Sequence, residues 1–377
     1  MTVRLSLALA ALFVLVVLSS VACRDAPRLA GVGEPQSAPP HWAVNPGPSL
    51  PEPLANNAVA ALSVDGREWL FSFLGLGAGK DFQAITTHAY ALVVKDDVKD
   101  SAWERLPDVP GPVGRIAATA QGFGERVYLF GGYSVAKDAK ETTSPAVDIY
   151  SVRERRYTRG AAIPLPVDDS ASGVWRDRLI FLISGWSVAN NVDVVQIYDP
   201  AKDTWSQASK IPGHPVFGHA GGIVRDAIIY CGGARVQAPK TPKYVINEEC
   251  FRGDIDPQDP TRVAWRTIAT HPGAARYRAA AGPVKRGGIV GVMFVGGTAN
   301  PYNYNGVGYD GNPSEPESTS WIYDIEKNSW VEGPHVTAPS MDHRGLVAAG
   351  GGWWTIGGFG PGQVVSASVY RLLRQVP

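Results

Sequence analysis

Reactive side chains are scarce in this chain. Its 377 residues include three cysteines, three methionines and seven histidines. The histidines form no tight ligand cluster. His214 and His219 lie near each other in sequence with no third donor close by, so neither a metal nor another cofactor is expected. There is no Gly-Lys-Ser/Thr phosphate loop and no nucleophile elbow. Basic and acidic residues balance at 35 each, with no Lys/Arg-rich run, which argues against a nucleic-acid partner. Hydrophobic residues make up 45% and charged residues 19%, the composition of a packed soluble body rather than a disordered chain.

Long apolar runs are also rare. The prominent one is Leu5–Leu18, preceded by Arg4 and followed by Ser19-Ser20-Val21-Ala22-Cys23. Residues 1–23 read as a secretory leader. Two endings stay open. Ser20-x-Ala22 is an acceptable cleavage site, and Ser20-Val21-Ala22-Cys23 resembles a lipobox that would make Cys23 a lipidated N-terminus. An uncleaved anchor is a third reading. All three place the body outside the cytoplasm, as a periplasmic or outer-membrane-anchored lipoprotein of a bacterium. Membrane contact is expected only through the leader or lipid. Residues 24–40 are rich in Pro, Ala and Gly without periodicity and read as a tether.

What the chain has in quantity is glycine, 42 residues of it, in a repeated phrase. An apolar run ends in Gly-Gly at Val127–Gly132, Ile228–Gly233, Val292–Gly297 and Trp354–Gly358. Worn copies stand at Phe73–Gly77 and Phe181–Gly185. A second β-rich run follows each, then a tight turn, then an aromatic (Trp103, Tyr157, Trp205, Trp265, Trp330), then a proline. A unit of roughly 50 residues holding four short strands is the kelch signature and predicts a β-propeller over 41–377. Six Gly-Gly phrases give six blades. The last lacks its own aromatic strand, and Trp42 with Pro51 and Pro53 supplies one from the front, so an N-terminal strand completes the last blade.

Innermost strands of a propeller line a central channel. The positions just after the repeat prolines give a candidate ring at its mouth: Asn56-Asn57, Arg115, Asp168-Asp169, His219, Arg278 and Asp342-His343-Arg344. Arginines there suit a carboxylate, and His beside Asp suits acid/base work. The same arginines also suit backbone carbonyls of neighbouring blades, and His219 suits a core histidine. A long segment after Gly297 carries Tyr302, Tyr304 and Asn305, residue types that stack on and hydrogen-bond to sugars. An ordered surface loop is the other reading. The blade-two loop, 133–146, reads as a solvated excursion. Cys231 and Cys250 could pair in an oxidising compartment, but Cys231 ends a second strand while Cys250 is placed well into or beyond the third, which favours the other reading, Cys231 as a small buried core residue.

The repeats resemble bacterial exported kelch propellers over most of Trp42–Leu373, in particular the N-acetylneuraminate epimerase (sialic acid mutarotase) type. The segments that carry this are LPEPLANN, FLGLG, Pro112-Val-Gly-Arg115 and NPYNYNG. The resemblance implies a sugar mutarotase. Arg115, Arg278 and Arg344 would hold a carboxylate, His219 and His343 would serve as acid/base groups, and Asp342 would orient one of them. Asn57, Tyr302, Tyr304 and Asn305 would be ligand contacts. Such propellers are also grouped with galactose oxidase, but neither Cys231 nor Cys250 has the setting of a Cys–Tyr cross-link, so copper oxidase chemistry is not expected. The alternative is a non-catalytic propeller that binds a glycan or a protein partner at its face.

Overall fold

The computed structural model describes residues 42–374. The leader, Cys23 and the tether lie outside the described residues.

Six antiparallel sheets follow one another around an axis, each built on four strands, with a short fifth strand, Glu141–Thr143, added to the second. Their inner strands are Ala58–Val64, Ile116–Phe123, Ala171–Trp175, Ala220–Val224, Ala280–Arg286 and Val347–Ala349. Each of the first five sheets runs outward in chain order. In the sixth, Val369–Arg374 is followed outward by Trp42–Pro46, with Trp42 opposite Arg374 and Pro46 opposite Tyr370. The front of the chain thus closes the ring.

The repeat residues hold blade to blade. The second glycine of each Gly-Gly pair, or the glycine at that place in the worn copies, donates its N–H to a carbonyl just ahead of the next inner strand. Gly75 reaches Arg115, Gly132 Val167, Gly185 Val216, Gly233 Arg276, Gly297 Ser340 and Gly358 Leu54, all at 2.8–3.3 Å. At Gly131 (φ 61°) a Cβ would collide with that same carbonyl, of Val167, which is why a side chain is excluded there. In the worn copies Leu74 and Ser184 occupy the equivalent left-handed place. The closing aromatics act on the outer rim. Trp103, Trp205, Trp265 and Trp330 donate their indole N–H to Pro48, Ala161, Ser209 and Ala269 carbonyls at 2.7–3.2 Å, and Tyr157 reaches Pro107 at 3.1 Å. Their rings pack between sheets, as Trp205 does on Tyr198 (5.0 Å) and on Phe130 of the preceding blade (5.8 Å).

Cys231 and Cys250 form a disulfide, contrary to the sequence expectation. The third strand of blade four begins at Cys250, directly opposite Cys231. The intervening segment makes its own small hairpin, Ala234–Val236 with Tyr244–Ile246, so the third strand starts later than its position in the repeat suggests.

Candidate functional site

A residue in the left-handed region stands ahead of each inner strand, or in blade two at its second position: Asn56 (φ 54°), Ala117 (58°), Asp169 (52°), Gly218 (62°), Arg278 (50°) and Asp342 (69°). For the five non-glycines this conformation costs on the order of 1 kcal/mol or more each. A circle of hydrogen bonds offsets it. Asp169 N–H donates to Ala117 O (3.0 Å), Gly218 to Asp169 (2.9 Å), Arg278 to Gly218 (2.7 Å), His343 to Arg278 (3.1 Å) and Asn56 to Asp342 (3.0 Å). Ala117 N–H closes it onto Asn56 Oδ1 at 2.9 Å.

Side chains from this circle close one end of the channel. Arg278, from blade five, donates twice to Asp169 of blade three (3.2 and 2.6 Å) and once to Asp342 of blade six (2.9 Å). Arg344 crosses from blade six to the same Asp169, and its Nε donates to the His343 carbonyl at 2.9 Å. Arg278, Asp169 and Asp342 are each no more than 2% exposed. Burial favours the neutral carboxyl of Asp169, but Arg278 and Arg344 overcome it and hold its pKa below the usual range. Burial dominates at Asp342, whose pKa rises, and at Asp168, whose pKa rises well above the usual value with Asp169 adding to it.

Aromatic side chains cap this network from the loop side. The Arg278 guanidinium lies 4.9 Å from the Tyr277 ring centre and 5.2 Å from that of Tyr302. Tyr133, Phe217, Tyr277, Tyr302 and Phe359 share one cluster, with Trp186, Tyr244, Tyr304 and Tyr309 packed on it. The oversized loop therefore folds inward as a plug, with Tyr302 fully buried. Asn305 accepts from Val307 N–H at 3.0 Å, and Asp310 ties Asn300 and Asn312, so these polar groups order the loop's own turns. The blade-two loop is solvent-exposed over Ala136–Thr142, as expected, but its base is packed. Tyr133 and Val135 are buried in the plug, and Thr143 donates to Asp168 at 2.8 Å.

Beyond this plug a channel of about 480 Å³ runs along the inner strands. Ser170, His219, His343 and Arg344 stand at its closed end, and Asp177, Lys285 and Trp353 at the hairpin end, where Asp177 and Lys285 are exposed. The opening is thus on the face opposite the long loops. Burial lowers the pKa of both histidines to about 4, so both are neutral at pH 7. His343 Nε2 shares a 2.8 Å hydrogen bond with Ser340 Oγ, while Arg344 engages the protein through Nε and Nη1. Among the described residues, His343 Nδ1 and Arg344 Nη2 have no protein hydrogen-bond partner. His219 Nδ1 is buried without a partner as well.

The structure brings His219, His343 and Arg344 to the channel, and Arg278 and Asp342 to the plug behind it. Asn57 is bonded to Ser72 (2.8 Å) within blade one. Arg115 stands apart, paired with buried Asp148 and with the Gly131 carbonyl (2.9 Å). Its repeat equivalent is Arg276, bonded to Thr319 at 3.0 Å, and not Arg278. The sequence reading passed over Ala117 and Gly218, members of the circle whose side chains carry no signal.

No family model matches the chain. It is 24% identical over 267 residues to Kelch domain-containing protein 3 of Rattus norvegicus, covering 65% of this chain and 64% of the relative. It is 28% identical over 149 residues to Kelch-like protein 36 of Bos taurus, covering 37% and 22%. Beta-scruin of Limulus polyphemus matches at 24% over 166 residues, covering 44% and 17%. The chain thus spans less than two thirds of the length of these curated relatives. Among solved structures it is similar to YjhT, with a TM-score of 0.66 and 15% identity over 85% of this chain and 95% of that one. The protein is a six-bladed β-propeller. Its repeats are of the kelch type, as in these relatives.

Proposed function

We propose that this propeller is an exported protein that takes a small acidic sugar into its central channel and catalyses its mutarotation. The observation that carries the reading is the closed channel end, where two neutral imidazoles and an uncommitted Arg344 Nη2 border one cavity. Arg344 would hold the carboxylate. One imidazole would accept the anomeric hydroxyl proton as the bond from the anomeric carbon to the ring oxygen breaks. The imidazolium so formed would pass that proton to the ring oxygen, and re-closure on the other face would run the same transfer in reverse, leaving the imidazole neutral again. The leader pattern supports export, as does the disulfide, a bond that persists in oxidising compartments.

Purified protein mixed with the α-anomer of free N-acetylneuraminic acid tests this by proton NMR. The expected result is anomer equilibration many-fold faster than in buffer, lost in Arg344→Met. Equilibration at the buffer rate removes the enzymatic reading for that sugar. One observation favours binding without turnover: Asp342 is turned to Arg278, so it does not orient His343. Saturable binding of the sugar with no acceleration would select that reading.

A further inference from the structure

Proton transfer at the closed end of the channel needs a ring nitrogen that faces the cavity, and the two histidines there are not equivalent. Ser170 Oγ is spent on the Ser184 carbonyl at 2.8 Å, and Arg344 stays protonated, so His219 and His343 are the groups at that end able to take up a proton. His219 is packed into blade four. Its ring meets Tyr230 edge-on at 5.5 Å, Nε2 lies 3.4 Å from the Ala171 nitrogen, and Nδ1 is sealed from solvent without a partner. His343 presents the other arrangement. Its Nε2 is turned to Ser340 Oγ at 2.8 Å, while Nδ1 has no protein partner among the described residues and is not sealed. As His343 lines the channel, Nδ1 is the edge it offers to a ligand.

The surroundings of His343 fix that edge. Its backbone N–H donates to Arg278 O at 3.1 Å, and its carbonyl accepts from Arg344 Nε at 2.9 Å. Against the ring, Gly358 (φ 103°) comes so close that a Cβ there would stand 2.8 Å from Cε1. Ser340 is itself anchored, because its carbonyl accepts the Gly297 N–H at 3.0 Å in one of the inter-blade bonds. A serine hydroxyl can accept as well as donate. With Nε2–H donating to Oγ, Nδ1 is left bare toward the cavity, and the same bond persists when Nδ1 gains a proton. A hydroxyl places no negative charge beside the ring, so it directs the imidazole without holding it protonated. Burial and then the charge of Arg344 keep the ring neutral.

We propose that His343 Nδ1 is the proton-transfer atom of the channel and that Ser340 is its positioning residue, with His219 part of the blade-four core. Nδ1 would take the anomeric hydroxyl proton as the bond from the anomeric carbon to the ring oxygen breaks and that carbon becomes a carbonyl. The imidazolium would then give the proton to the former ring oxygen, and Nε2–H would stay on Ser340 Oγ throughout. The inference rests on the mutarotation reading above and adds which imidazole acts, and through which nitrogen.

Heteronuclear NMR of the full chain, isotope-labelled at histidine, tests the geometry without any sugar. At pH 7 the His343 signals, identified by their loss in His343→Gln, should be those of a neutral ring protonated at Nε2. Ser340→Ala should mix the two tautomers, and Ser340→Thr should restore the single one. Anomer exchange of N-acetylneuraminic acid, followed by proton NMR, tests the chemistry. His343→Gln should lower kcat by about a hundredfold, and at least tenfold more than His219→Gln does. Ser340→Ala should lower kcat about tenfold with KM within about twofold, recovered in Ser340→Thr, with thermal melts confirming that each variant is folded. A proton on Nδ1 of wild-type His343, or a larger loss in His219→Gln than in His343→Gln, overturns the assignment and leaves the mutarotation reading standing. Should wild type not accelerate the exchange, that reading falls and takes the assignment with it. Should Ser340→Ala fail to fold, the wild-type tautomer and Ser340→Cys, whose thiol is a weak acceptor, decide the point.

Discussion

At the scale of single residues, the plug is a buried charge cluster in which Arg278 is the central member. Among the described residues it alone pairs with Asp169 and Asp342 together, and both carboxyls are nearly inaccessible. Arg278→Met should destabilise the fold by about 3–5 kcal/mol, because it leaves buried carboxylates uncompensated. Urea unfolding monitored by tryptophan fluorescence measures this, and the double variant with Asp169→Asn should recover part of the loss. His219 and His343 give a second residue-scale expectation. Both have pKa values lowered from 6.5 to about 4 by burial, so between those values the unfolded chain binds more protons than the folded one. Stability contributed by the neutral histidines is present above pH 6.5 and is lost as pH falls toward 4, by about 3 kcal/mol per histidine. Asp168 and Asp342, with raised pKa values, contribute the opposite slope in part of that window. The histidine share is therefore the difference in melting profile between wild type and His219→Asn/His343→Asn, which should be flatter on the acid side.

At the scale of elements, the disulfide joins the second and third strands of blade four across a separation of 19 residues. Closing a loop of that size restricts the unfolded chain by about 3 kcal/mol. Cys231→Ala/Cys250→Ala should lower the melting temperature accordingly, and reductant should shift wild type but not the double variant. This bond also marks where the sequence stops being legible. Strand positions, blade count and ring closure follow from glycine pairs and aromatics at regular offsets, because those residues make the inter-blade contacts. Cys250 escapes that logic, since the hairpin at Ala234–Ile246 delays the third strand. The register of the left-handed circle is hidden for a similar reason: in blades two and four it falls on Ala117 and Gly218. Which end of the channel is open was not legible either. It is decided by loops far apart in sequence, 133–146 and 298–319, meeting over Arg278.

At the scale of the whole molecule, the outer strand of the last blade comes from five residues at the front of the chain. Trp42–Pro46 pairs with Val369–Arg374, and Trp42 packs edge-on against Trp353, 5.8 Å between ring centres. Removing residues 42–46 should cost on the order of 3–5 kcal/mol, the scale of deleting a large packed aromatic. It should also expose a sheet edge, so the truncated protein is expected to self-associate in size-exclusion chromatography while the full chain does not.

The closed circle of hydrogen bonds, with the side-chain plug it carries, has a consequence for traffic. A tube sealed at one end has a single doorway, so whatever reaches the histidines must back out past Lys285 and Trp353. A reaction that only exchanges two anomers suits such a pocket, because the molecule departing is the size of the one that arrived. A reaction that split its substrate would trap the inner fragment behind the outer one, and a polymer could never be threaded through.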